Sequence, residues 1–73
     1  MTTETTLHDD LKTALTLLRR VNTRAVAERE DPANDAHVAT YTLIRAELHR
    51  ALFFLGEAVE MARTIETDKG QGA

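Results

Sequence analysis

The segment YTLIRAELHRALFFLGEAVEMARTI, Tyr41 to Ile65, decides the reading of this chain. Steps of three and four along it pass Tyr41, Ile44, Leu48, Ala51, Leu55, Ala58, Ala62 and Ile65 without meeting a polar side chain. That repeat is the seam of a helix packed against another helix. At ~100° per residue, Leu43, Phe54 and Met61 fall on one flank of the seam and Leu52 and Val59 on the other, which widens the apolar arc to roughly half the circumference. One neighbouring helix covers less than that. Phe53 falls on the far side, among Thr42, His49, Glu57 and Glu60, where a helix of a lone hairpin faces water.

Outward from this segment, the rest of the chain supplies one mate. Leu7, Leu11, Ala14, Leu18, Val21 and Ala25 repeat at the same spacings and predict a first helix over 7–30. Thr6 and Asp9 form a capping box with a shorter acid, and Asp9 and Asp10 suit the positive end of the helix dipole. Leu15 and Val26 flank the first seam on one side and Leu17 on the other.

Between the helices stands Glu30-Asp31-Pro32-Ala33-Asn34-Asp35. Proline has no N–H to continue a helix and pushes the residue before it out of helical geometry, so the first helix ends by Asp31. Asp31 or Asn34 then caps the second, giving a turn over 31–34 and a second helix over 35–66. The expected fold is all-α, an antiparallel two-helix hairpin, because a short connection between amphipathic helices folds them back on each other. A single helix kinked at Pro32 is the competing arrangement. Residues 1–6 and 67–73 are expected to be flexible tails, and Gly56 to mark a place where a neighbouring backbone comes close.

Composition bounds the function classes. A chain of 73 residues makes one small domain, and domains this short gain stability from metals, disulfides or association. With no cysteine there is neither a disulfide frame nor a thiolate metal site. Hydrophobic content of 42% with 29% charged residues is that of a folded helical protein. No apolar run reaches the ~20 residues that span a bilayer, and the start lacks the pattern of a signal peptide, so a cytoplasmic protein with no membrane partner is expected. The net charge of −3 gives no overall drive toward nucleic acid.

With the turn near Pro32, Leu7 comes level with residue 57, and Val59, Met61, Ala62 and Ile65 outrun the first helix. Large apolar side chains left in water forgo ~1.5–3 kcal/mol each. The chain is therefore expected to dimerise into a four-helix bundle, with Leu43, Leu48, Leu52, Phe54, Leu55, Val59, Met61 and Ile65 at the interface.

No constellation points to catalysis. His8, His37 and His49 stand in no Glu-x-x-His spacing, and there is no phosphate-cradling loop or nucleophile motif, so neither a metal nor another cofactor is expected. His37 falls on the seam near the turn as a core-edge histidine, and His49 in solvent. Glu47 lies within the apolar arc and needs a partner, for which Arg20, Arg24 and Arg50 are candidates. Phe53, with His49 and Glu57 beside it, is the candidate contact for another protein. Lys12, Arg19, Arg20 and Arg24 on the first helix are the candidate contacts for structured RNA or DNA. The sequence thus predicts a small non-enzymatic adaptor or regulator acting through self-association and protein contacts, with nucleic-acid binding by the basic face as the alternative.

Overall fold

The computed structural model describes residues 6–71. They form two α-helices, α1 (Leu7–Glu30) and α2 (Val38–Gln71), joined by a 3-10 segment (Pro32–His37). Of the tails expected at 1–6 and 67–73, residues 1–5 and 72–73 lie outside the described residues.

α1 starts where its sequence satisfies its own free N–H groups. Thr6, extended at φ −81° and ψ 163°, accepts the Asp9 N–H on its hydroxyl at 3.0 Å, and Asp9 accepts the Thr6 N–H in return. The reciprocal pair is a capping box. At the other end Asp31 is extended, its side chain accepts the Ala33 N–H at 2.9 Å, and Pro32 takes the first position of the next element. Asn34 leaves helical geometry at φ −106° and ψ 15°, and its amide donates to the Glu28 carbonyl at 2.8 Å. This bond ties the connection to the last turn of α1.

The connection is thus longer than the expected 31–34 and takes in residues 35–37, which the sequence assigned to the second helix. His37 consequently stands exposed at the end of the 3-10 segment instead of on the seam. The longer turn also moves the fold-back point, so that Leu7 shares a hollow with Ala62 and Ile65 instead of standing level with residue 57. Ala62 is therefore covered, at 4% exposure, and Val59 is half-buried, where both were expected to overhang. The kinked single helix is excluded, since α1 and α2 pack along one another.

α2 continues five residues beyond the expected end at Glu66, to Gln71. A lone glycine costs a helix ~1 kcal/mol and does not by itself stop it. Thr67 donates its hydroxyl to the Arg63 carbonyl, and Lys69 sits at the negative end of the dipole. Gly56 does not mark a close backbone: a Cβ built there meets nothing within 4 Å.

The Cα trace measures 57 × 28 × 11 Å with a radius of gyration of 17.0 Å, against about 11 Å for a compact domain of this length. A thickness of 11 Å is that of one helical layer. Domains normally bury their apolar stripes between two layers. In this single layer only Ala25 and Ala62 are fully enclosed among the described residues, at 8% and 4% exposure. No large apolar side chain among them is fully buried, so the lone hairpin has a contact line but no core.

Candidate interaction surface

The contact line between the helices is built from Leu11, Leu18 and Ala25 on α1 and Tyr41, Leu48, Leu55 and Ala62 on α2, all buried or half-buried. These are alternate members of the two seams. The members between them, Leu7, Ala14 and Val21 on α1 and Ile44, Ala51 and Ile65 on α2, are exposed, with half-buried Ala58 as the exception. A helix in a four-helix bundle presents successive seam positions to two different neighbours, one beside it and one across the layer. Here one of those two neighbours is present.

The uncovered positions share one broad face of the hairpin. Counting ~100° per residue from the contact line, Leu17 and Val21 on α1 and Leu43, Phe54 and Met61 on α2 lie in the same rotational sense. Because the helices run antiparallel, equal senses open on the same side of the layer. The hollow shared by Leu7 and Ile65, 330 Å³ in volume, lies on this face. A second hollow of 550 Å³ on α2 is lined by Leu43, Ile44, Leu48 and Ala51 with Thr40 and Glu47. Of the ten large apolar side chains exposed among the described residues, all but Val38 and Phe53 belong to this face. Leu43, Phe54 and Met61 are 68%, 66% and 66% exposed. A contiguous apolar face of this kind is a candidate interaction surface.

The eight residues expected at a dimer interface therefore divide. Leu43, Phe54, Met61 and Ile65 stand exposed on the open face. Leu48, Leu52, Leu55 and Val59 are half-buried against α1. Periodicity finds the apolar arc, but the angle at which the mate sits on it depends on the packing of both helices.

The opposite face is polar. A groove of 380 Å³ runs between the helices there, lined by His8, Lys12, Leu15, Thr16 and Arg19 with Val59, Glu60 and Arg63. Arg63 pairs with Glu60 at 3.3 Å, while Lys12 and Arg19 form no ion pair among the described residues. Arg20 and Arg24 stand elsewhere, on the outer flank of α1, with Arg24 held by Glu28 at 2.8 Å. The structure thus divides the four basic residues instead of gathering them on one face. Glu47, within the apolar face, pairs with Arg50 at 3.1 Å, and both side chains are well exposed. An exposed pair of this kind contributes under ~1 kcal/mol.

Phe53 is 64% exposed on the outer side of α2, beside exposed His49 and Glu57. Its ring meets that of Phe54 edge to face at 5.5 Å. Near the turn, the Tyr41 hydroxyl donates to the Glu28 carboxylate at 3.2 Å. Loss of solvent, then that bond and the negative charges of Glu28 and Asp31, hold the phenol above its ordinary value. Sequence reasoning missed Asn22 and Arg45, which turn Oδ1 and Nε into the layer where neither finds a protein partner. Polar atoms without partners weaken the one contact the hairpin makes.

Among the described residues, no three His, Asp or Glu side chains converge as a metal site would require, and no helix is long and apolar enough to cross a membrane. No family model matches the chain, and neither a curated protein nor a solved structure is significantly similar to it.

Proposed function

We propose that the protein is a cytoplasmic, non-enzymatic adaptor or regulator whose working form is a homodimeric four-helix bundle, in which the apolar face of one hairpin covers that of another. The observation that carries this reading is the alternation of seam residues: each second one meets the mate, and those between point to an unfilled neighbour on one common side. A second copy supplies that neighbour with matching length, width and chemistry. The 57 × 28 Å outline of the layer has room for the ~800 Å² per partner of a standard interface. Phe53, His49 and Glu57 remain outside the paired faces, where a further protein would meet them.

The reading makes folding and pairing one process, so stability depends on concentration. Thermal unfolding followed by circular dichroism is expected to show a midpoint that rises by about 3–5 °C for each tenfold increase in protein. A midpoint independent of concentration over two decades would oppose it.

A further inference from the structure

Resting on that reading, we infer how the two copies are set. The two-fold axis runs perpendicular to the helices, so that each α2 lies antiparallel on the partner's α2, each α1 on the partner's α1, and the turns point to opposite ends.

Two closed arrangements bring the apolar faces together with every adjacent helix pair antiparallel. With the axis along the helices, α1 lies over the partner's α2 and both turns sit at one end. With the axis across the helices, each helix lies over its own copy. The choice turns on the outer flanks of the apolar face, which meet between the layers. The flank of α2 carries exposed Leu43, Phe54 and Met61. The flank of α1 carries Thr13, Arg20 and Arg24, all exposed. The lengthwise axis lays the flank of α2 on the flank of α1 at equal level, so Phe54 meets Leu17 while Leu43 and Met61 come level with the acids Glu28 and Asp10. The crosswise axis lays Phe54 on its own copy and Leu43 near the partner's Ile65, with Met61 alone opposite a carboxylate, Glu47, so more of the apolar flank meets apolar surface.

Levels along the layer agree. Leu7 stands level with Ala62 and Ile65, and Glu28 with Tyr41. At equal rise per residue Leu17 therefore stands level with about residue 54. An axis at that level passes the middle of both flanks, bringing Phe54 to its own copy and Leu17 to its own copy. The lengthwise alternative would pair Glu47 with Arg24, but both already have partners within the chain, and a rim ion pair adds little.

The chain has no cysteine, so single introduced thiols report unambiguously. A short bis-maleimide is applied to Phe54→Cys alone, to Leu17→Cys alone, and to their mixture. The crosswise axis predicts that most of each single variant becomes a covalent dimer and that the mixture gives no Leu17-to-Phe54 product. Because losing Phe54 weakens pairing, Glu47→Cys is also mixed with Met61→Cys. These positions are equally far from Phe54, and the mixture is expected to cross-link where neither variant does so alone. A Leu17-to-Phe54 product, or failure of both the Phe54→Cys and the Glu47-with-Met61 cross-links, would overturn the arrangement. Sedimentation of the parent chain separates the two failures. A dimer with the wrong cross-links refutes only the arrangement, whereas a monomer refutes the reading beneath it.

Discussion

Phe54→Asp is expected to leave the protein monomeric at concentrations where the parent is paired, while Phe53→Asp leaves pairing unchanged. The two rings are neighbours in sequence and almost equally exposed in the lone hairpin, at 66% and 64%. A count of exposed apolar surface would treat them alike. They differ in direction: Phe54 opens on the face that carries Leu43, Met61 and Ile65, and Phe53 on the outer side with His49 and Glu57. Burying a phenylalanine contributes ~1.5–3 kcal/mol, and each dimer loses two. The dissociation constant should therefore weaken by a factor of about 100 or more, since each 1.4 kcal/mol is about tenfold. Light scattering coupled to size exclusion reads the result. Equal loss in both variants would mean that Phe53 is also covered, and no loss in either would remove the apolar face as an interface.

The second large effect separates what holds the hairpin from what holds the bundle. Ala62 is 4% exposed beneath α1, and Ala51 is exposed on the open face. Ala62→Glu forces a carboxylate between the helices and should cost about 2–3 kcal/mol or more in either oligomeric state. A unit of two such chains carries the change twice and loses about 4–6 kcal/mol, a fall in thermal midpoint of roughly 8–24 °C. Ala51→Glu meets only water in a lone hairpin and should then be nearly neutral. Inside a bundle it stands among Ile44 and Leu48 of its own helix and the facing copy. Thermal denaturation by circular dichroism at one fixed concentration compares them. A substantial loss is expected in both, and a neutral Ala51→Glu beside a damaged Ala62→Glu is the result for a chain that works as a monomer.

The comparison of Ala51 with Ala62 also marks how far the sequence could be read. Both belong to the same seam, and the period of three and four places both on the apolar arc, which is why the all-α hairpin is legible. Periodicity does not state the rotation of one helix against the other. That rotation decides that Ala62 faces the mate and Ala51 does not, and it depends on packing along the whole pair. The start of α1 was legible because Thr6 and Asp9 satisfy each other locally. The turn was less so, because its length rests on the Asn34 amide reaching back to Glu28, which no local propensity encodes. Three further residues in the connection shift the level of the whole return helix. The overhang expected at Val59 and Ala62 is largely removed by that shift, and the apolar excess proves to lie along one side of the layer instead of at its end. Met61 and Ile65 are uncovered for this reason. Among the basic residues, Lys12 and Arg19 read as companions of Arg20 and Arg24 along one helix. Only the return of α2 beside α1 separates the first two into a groove with Arg63.

On the proposed pairing, the apolar face supplies the interior that a chain without disulfides, and without a metal site or a large fully buried side chain among its described residues, lacks on its own. A single layer 11 Å thick has no interior of its own, and doubling the layer creates one. Sedimentation equilibrium at low micromolar concentration addresses this directly. A single species of twice the 8.1 kDa chain mass is the expected result. An 8.1 kDa species that keeps its full helical circular dichroism would contradict it, because such a hairpin would be standing with its apolar face in water.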